Sequence, residues 1–313
     1  MSDFSAFRNR LAKNLKHWSK WARRQSLSCY RVYDRDIPEF PLAIDIYQDH
    51  AHLQEFDTGW IMSDEEHARW VESVRQATAE VLGFPEQKVR FKLRTRQRGD
   101  SQYEKTGAKG AGFVVEENGH RFWVHLDAYL DTGLFLDHRN TRRMVQARAK
   151  GKRFLNLFAY TGSFTVYAAA GGATSSVTVD LSNTYQDWSR RNFELNGMDL
   201  EQHSLERADV FVWLDQAIEQ GVKFDLIVMD PPSFSNSKKM QDVLDVQRDH
   251  PRLINACLKL LAPGGELFFS NNLRSFKLAA DEIDSQQIQD ISAQTVPEDF
   301  RNKKIHACWL ITA

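Results

Sequence analysis

At 313 residues the chain has room for two domains, or for one large domain with an appendage. Apolar residues make up 42% and charged residues 27%, which excludes wholesale disorder, and three cysteines (Cys29, Cys257, Cys308) are too few and too scattered for a disulfide framework or a zinc site. The 41 Lys and Arg balance 42 Asp and Glu to a net charge of −1, which excludes a uniformly basic nucleic-acid binder.

The charge is nonetheless unevenly placed. Residues 1–24 carry seven Lys and Arg against Asp3, with Phe4, Phe7, Leu11, Leu15 and Trp18 at helical spacing, so a helix with one apolar and one basic face is expected. This basic, Trp-bearing start does not read as a signal peptide, and no run approaches the length of a membrane span. A reducing, cytoplasmic compartment is the expectation.

Extended runs follow at Cys29–Tyr33, Leu42–Tyr47 and His52–Phe56. Ser63-Asp64-Glu65-Glu66 has the form of a capping box opening a helix to about Leu82, stopped by Gly83 and Pro85. Strands are expected at Lys88–Leu93, Phe113–Glu116 and Phe122–Leu126. Between the first two lies a Gly-containing loop, residues 94–112, and residues 90–109 carry seven cations in all. Local clusters of this kind neutralise phosphates even when the whole chain is neutral; a solvated face and a loop account for them equally. The expected organisation is a basic helix over 1–24, a small α+β domain over 25–127 and a larger domain over 128–313.

From Lys152 the pattern becomes strand, helix, strand, helix. Strands are expected at Arg153–Phe158, Ser176–Val179, Ser204–Arg207, Phe224–Met229, Glu266–Ser270 and Ile305–Thr312, with helices between, one of them from about Tyr185 to Asn196. Alternation of this kind predicts a mostly parallel sheet covered on both faces. Ligands of such sheets sit beyond the carboxyl ends of the strands. There the chain places Asn156-Leu-Phe-Ala-Tyr160-Thr161-Gly162-Ser163, then Asp180, Asp209 and Asp230.

Three acids at strand ends call for a donor-rich ligand, since a buried unpaired carboxylate is costly. The first loop has one glycine where dinucleotide binders have three, which argues against a pyrophosphate cradle. Asp180 follows Gly162 by 18 residues, close to the spacing at which an acid meets ribose hydroxyls. A nucleoside without pyrophosphate satisfies both, and S-adenosylmethionine is such a ligand. Asp180 and Asp209 also stand where helix N-caps would stand. Asp230-Pro231-Pro232-Ser233-Phe234 is the sharpest local signal: the prolines end strand pairing, the carboxylate is left to face a ligand, and Phe234 is available to stack on a flat base.

Phe154-Leu-Asn-Leu-Phe-Ala-Tyr-Thr-Gly162, Thr178-Val-Asp-Leu-Ser182, Asp230-Pro-Pro-Ser-Phe-Ser-Asn-Ser-Lys238 and Ser270-Asn-Asn272 resemble motifs of the class I S-adenosylmethionine-dependent rRNA methyltransferases, in particular the RlmK type, which modifies guanine N7 of 23S rRNA. The likeness extends to Gln102-Tyr103, Tyr129-Leu-Asp-Thr-Gly-Leu-Phe-Leu-Asp-His-Arg139 and Ile305-His-Ala-Cys-Trp-Leu-Ile311. It implies a Rossmann-like α/β domain with a mostly parallel seven-stranded sheet beside a smaller α+β domain. It also implies that Asn156, Phe158, Tyr160, Thr161, Gly162 and Ser163 wrap the methionine end of the cofactor, that Asp180, Leu181 and Ser182 hold the ribose, and that Asp209 and Val210 meet the adenine. Asp230, Pro231, Pro232 and Phe234 would line the methyl-transfer pocket. Asp137 and Arg139 would reach the amino-acid end, unless Arg139 is an ordinary salt-bridge residue. Many relatives of this type are half of a fusion whose other half methylates guanine N2. That half is not among these residues, so a separate RNA-recruiting protein is an expected partner beside 23S rRNA or its assembly precursor.

The residue chemistry narrows the target. Cytosine C5 needs a covalent cysteine adduct, and no cysteine follows the strand ending at Ser270-Asn271-Asn272. All three cysteines read as buried small hydrophobes, and no metal site is expected. Guanine N7 carries its own lone pair and needs no base, whereas guanine N2 or adenine N6 suits the acceptors of an Asp-Pro-Pro-x-Phe loop. A stacked base is out of reach, so the target is single-stranded or flipped. Arg94, Arg96, Arg98 and Tyr103 are the candidate RNA contacts. A non-catalytic RNA-binding protein and a small-molecule methyltransferase are the competing readings.

Overall fold

The computed structural model describes residues 4–56, 59, 62–94, 111–129, 131–236, 243–285 and 287–312, with the backbone alone at Arg94. Two compact units are present: residues to Gly119 with Val124–Thr132 and Glu298–Asn302, and His120–Trp123 with Gly133–Pro297 and Lys303–Ala313.

In the first unit, helix α1 (Phe4–Arg24) buries Phe7, Leu11 and Ala22 against the apolar face of a four-stranded sheet. The helix and the α+β segment, expected as separate pieces, therefore share one core. That sheet is ordered β1 (Cys29–Asp34), β2 (Leu42–Tyr47), β3 (His50–Phe56), β4 (Val89–Arg94), antiparallel except for the last pair. Helix α2 (Asp64–Leu82) provides the crossover that parallel pairing of β3 and β4 requires. Its capping box forms as expected: Glu66 N–H donates to Ser63 Oγ at 3.2 Å and Ser63 N–H to Glu66 Oε2 at 2.9 Å. Strand β5 (Phe113–Glu117) lies in the same unit. The strand expected at Phe122–Leu126 is instead β6 (His120–Val124), because Asn118 and Gly119 take left-handed φ of 52° and 82° and make a tight turn two residues earlier.

The second unit is built on a seven-stranded sheet. In chain order its elements are α3 (Arg139–Arg148), β7 (Arg153–Leu157), α4 (Ser163–Ala170), β8 (Ser175–Asp180), α5 (Asn183–Leu195), β9 (His203–Arg207), α6 (Val210–Glu219) and β10 (Phe224–Met229). A short β11 (Phe234–Ser235) pairs with β12 (Leu244–Asp245) before α7 (Val246–Leu260), β13 (Leu261–Asn271), β14 (Gln287–Asp290), α8 (Ser292–Thr295) and β15 (Ala307–Thr312). The sheet order is β14-β15-β13-β10-β7-β8-β9, with β15 the antiparallel intruder between parallel β13 and the edge strand β14. One face packs Leu155, Leu157, Ile227, Met229, Leu267 and Phe269 against α6 and α7; the other packs Phe154, Leu226, Val228 and Phe268 with α3 and α4.

Pro263-Gly264-Gly265, which by composition reads as a turn, lies inside β13. Phe224 faces Leu261 while Leu226 faces Glu266, so the intervening residues bulge out of register. Gly264, at φ 73°, supplies the left-handed residue that such a bulge needs.

Candidate active site

Strand order fixes where a ligand binds. From β7 the chain winds outward through β8 and β9, then returns to the other side of β7 as β10 and continues outward to β13. The switch in winding direction therefore falls between β7 and β10, where the loops leaving two neighbouring strands part and open a crevice. Register sharpens this. Leu157 stands opposite Met229 and Val179, and Met229 opposite Phe269. The next residue on each strand, Phe158, Asp180, Asp230 and Ser270, consequently lies in one row across four strand tips.

The loop after β7 is held in an uncommon shape. Phe158, Tyr160 and Gly162 have φ of 54°, 52° and 70°, and left-handed non-glycine residues persist only where their surroundings enforce them. Three contacts do so here. Tyr160 N–H donates to Asp180 Oδ2 at 2.9 Å, Gly133 N–H donates to Tyr160 Oη at 2.9 Å, and Thr161 Oγ1 donates to the Gly133 carbonyl at 2.7 Å. Gly162 is required twice over, since a Cβ there would lie 2.9 Å from the Phe193 ring. Ser163 opens α4. Asn156 is 1% exposed and donates to Thr165 Oγ1 at 3.0 Å, tying β7 to α4.

The two acids that fit either a cap or a ligand contact by sequence are separated by the structure. Ser182 is the N-cap of α5; Asp180 accepts from Tyr160 N–H and from Ser182 N–H at 2.9 Å, tying two loops together. Burial pushes its carboxyl up to about 6, with those two N–H donors acting in the opposite sense. Leu181, between them, accepts from Arg207 through its carbonyl. Asp209 is the N-cap of α6, accepting from Phe211 N–H at 2.9 Å, with Val210 buried behind it.

Asp230 leaves β10 toward β13 and α3. Ser270 Oγ donates to Asp230 Oδ1 at 2.7 Å, and His138 Nε2 lies 3.4 Å from Oδ2. Pro231 is buried and Pro232 half-buried, while Phe234 is 46% exposed on the two-residue β11. Ser233 Oγ donates to Asn272 Oδ1 at 2.6 Å, so the loops after β10 and β13 are fastened to each other. Beside them, Asp137 accepts from His306 Nδ1 at 2.9 Å, and Arg139 is buried in the first turn of α3. Asp137, His138 and His306 bring ligand-type atoms within 4.8 Å of one another. The two imidazoles, however, stack 4.3 Å apart and 10° from parallel, and rings so arranged cannot both aim an in-plane lone pair at one ion.

His138, Ser270, His306 and Thr295 carry no separate signal in the sequence; only the runs around the first three stand out. Arg96, Arg98 and Tyr103 lie outside the described residues, and Arg94 ends β4. All three cysteines are buried, with the Cys257 and Cys308 thiols pushed up by desolvation. Among the described residues no helix is long and apolar enough to cross a membrane.

A doubly wound sheet with acids at successive strand tips, a single-glycine first loop and Asp-Pro-Pro at the switch point defines a Rossmann-like class I methyltransferase. A family model described as S-adenosylmethionine-dependent methyltransferase matches residues 63–281, and the chain belongs to that family. It is 63% identical over 313 residues to ribosomal RNA large subunit methyltransferase K of Neisseria meningitidis, covering 99% of this chain and 88% of that protein. With ribosomal RNA large subunit methyltransferase K/L of Methylococcus capsulatus it shares 48% identity over 98% of its own length, but spans only 42% of that longer protein. A solved S-adenosylmethionine-dependent methyltransferase from Streptococcus mutans has the same fold at a TM-score of 0.79 and 24% identity, over 100% of this chain and 82% of that one.

Proposed function

We propose that the chain transfers a methyl group from S-adenosylmethionine to N7 of a guanine in 23S rRNA or its assembly precursor. The observation that carries this reading is the row of Phe158, Asp180, Asp230 and Ser270 across the switch point, set in a chain 63% identical to a large-subunit rRNA methyltransferase.

The residues fit the cofactor. An ionised carboxylate has about four acceptor positions, and the two backbone donors on Asp180 leave capacity for a pair of ribose hydroxyls. In this reading Phe158 to Ser163, with Asp137 and Arg139, hold the methionine end, Leu181 and Ser182 flank the ribose, and Asp209 with Val210 meets the adenine. S-adenosylmethionine, when bound, supplies an electrophilic methyl on a sulfonium. What the chain adds is orientation and exclusion of water, which can supply roughly 7–11 kcal/mol of a barrier.

N7 suits a site built this way. Its lone pair lies in the plane of the base and no proton must leave, so Asp230 acts by accepting from the base and fixing its angle rather than by removing a proton. Phe234 stacks on the base. A buried, protonated thiol is no nucleophile, so a covalent route to cytosine C5 finds no support in Cys257 or Cys308. Arg94, Arg96, Arg98 and Tyr103 are proposed to hold the RNA backbone and flanking bases. The cytoplasm is the proposed compartment.

The test is transfer of labelled methyl to 23S rRNA from a strain lacking the protein, followed by mass spectrometry of the product. Incorporation at one guanine, carried as 7-methylguanine and lost in Asp230→Ala, is expected. No incorporation, or an undiminished Asp230→Ala variant, overturns the reading; methyl on an exocyclic amine instead replaces N7.

A further inference from the structure

We infer that His138 is a positioning residue that holds the Asp230 carboxylate at its working angle, its ring stacked on His306 of the hydrogen-bonded series Thr295–His306–Asp137. The inference rests on the proposed role of Asp230 and extends it to residues behind the pocket.

Two protein side chains approach the two oxygens of Asp230 from opposite sides. On one side Ser270 Oγ donates to Oδ1 at 2.7 Å; on the other His138 Nε2 stands 3.4 Å from Oδ2. The Asp230 side chain is 25% exposed and the His138 side chain 7%, so the carboxylate meets solvent and substrate while the imidazole does not. A carboxylate gripped by one oxygen alone turns about that bond. Held at Oδ1 by Ser270 and flanked at Oδ2 by His138, it has its remaining lone pairs confined near one plane, which is what a base arriving edge-on requires.

The proton on His138 is placed by its neighbours. Burial pushes the imidazole pKa down, so the ring is neutral and carries one N–H. Nε2 faces Asp230 at 3.4 Å and Asp137 at 3.9 Å, both acceptors, whereas Nδ1 faces the Thr141 hydroxyl at 3.5 Å, which can donate. The tautomer with hydrogen on Nε2 turns its one donor toward the Asp230 side and leaves Nδ1 to accept from Thr141. The ring itself is clamped. It stacks on His306 at 4.3 Å, and His306 is fixed at both nitrogens, by Asp137 at 2.9 Å and by Thr295 Oγ1 at 2.9 Å. At 3.4 Å this is a close approach without hydrogen-bond alignment; catalytic hydrogen bonds are often long or poorly aligned before substrate binds and tighten afterwards, and this one is inferred to close onto Oδ2 when the base is bound.

The experiment compares single-turnover methyl transfer at saturating S-adenosylmethionine and rRNA with cofactor affinity by calorimetry and with thermal melting. His138→Phe keeps the stacked ring and removes the N–H. It is expected to slow transfer by about 10- to 100-fold with cofactor affinity and melting held, and His138→Gln, which restores a donor, is expected to recover most of the rate. Transfer by His138→Phe at the wild-type rate overturns the inference, as does a His138→Gln variant no better than His138→Phe, or a rate loss matched by an equal loss of cofactor affinity. If His138→Phe does not fold, Thr141→Val serves: it deletes the hydroxyl that faces Nδ1, and a several-fold slower rate is expected, with an unchanged rate counting against the inference. Asp230→Ala in the same assay separates the two levels. If Asp230→Ala is fully active the proposed function fails; if Asp230→Ala is inactive and His138→Phe is not slowed, only the positioning role fails.

Discussion

Tyr160 donates its backbone N–H to Asp180 Oδ2 at 2.9 Å, so the first loop of the catalytic unit takes its shape from the acid at the tip of the neighbouring strand. The same carboxylate is proposed to receive the ribose. Binding and loop geometry thus share one side chain, and its protonation bears on both.

Asp180 sets a pH dependence with opposite signs for stability and binding. Its carboxyl is raised by burial from an ordinary 3.8 to about 6, so between those values the folded chain binds the extra proton. The contribution of Asp180 to the stability of the unliganded protein is therefore largest at the acid end of that window and is lost as pH rises through about 6. Acceptance from two hydroxyls needs the ionised form, so cofactor affinity rises over the same interval and is about tenfold weaker at pH 5 than above pH 7. Calorimetric titration from pH 5 to 7.5 checks this, with Asp180→Asn expected to bind weakly and without the slope. A flat wild-type profile would refute it.

Gly133 faces a steric limit that substitution cannot evade. It has φ of 100°, and a Cβ would lie 2.1 Å from Trp188 Cζ2, inside a ring held by its own N–H on the Trp123 carbonyl. Gly133→Ala is expected to lower stability by about 2–4 kcal/mol, from overpacking and left-handed strain together. Because Gly133 also bonds Tyr160 and Thr161, cofactor affinity should fall with it. Chemical denaturation and calorimetry on the same preparation test both; Gly162→Ala provides the comparison with a looser clash.

Much of this site is legible in the chain because strands here end on their chemistry. Apolar runs stopping at Asp180 and at Asp230-Pro231-Pro232 mark both the sheet and its tips. What one acid does is not legible. By sequence Asp180 and Asp209 each close a strand, yet Asp180 is the last residue of β8 and Ser182 caps the helix after it, whereas Asp209 stands two residues past β9 and caps α6 itself. The Asp137–His306 contact joins residues 169 apart, and it exists because β15 enters the sheet antiparallel beside β13, a fact of topology that no local pattern carries. The bulge in β13 is invisible for a related reason. Pro263-Gly264-Gly265 reads as a turn, and only the register with Phe224 and Leu226 keeps it in the strand.

Phe234 offers the plainest separation of substrate from cofactor. Its ring is 46% exposed on a short strand that pairs with Leu244–Asp245, so its removal leaves the core intact. Base–aromatic stacking is worth about 1–3 kcal/mol, and Phe234→Ala should lose about 5- to 150-fold in kcat/KM on rRNA while melting temperature and cofactor affinity stay near wild type. Phe234→Tyr should restore most of the loss. An unaffected Phe234→Ala would remove the ring from the substrate pocket.

The basic face of α1 predicts how binding answers to salt. Phe7, Leu11 and Ala22 face the core of the first unit, which leaves Arg10, Lys13, Lys16, Lys20, Arg23 and Arg24 exposed. If these cations meet phosphates, each pairing releases condensed counterions, and the logarithm of the affinity falls linearly with the logarithm of salt concentration. Replacing Lys13, Lys16 and Lys20 with Ala should weaken binding to unrelated RNA sequences by similar factors. It should also flatten the salt slope by about 1 for each phosphate no longer neutralised, with cofactor affinity unchanged. Filter binding of rRNA fragments between about 50 and about 300 mM salt measures it. A triple variant with the wild-type slope would assign α1 to packing alone and leave the cations of residues 90–109 to account for the polyanion.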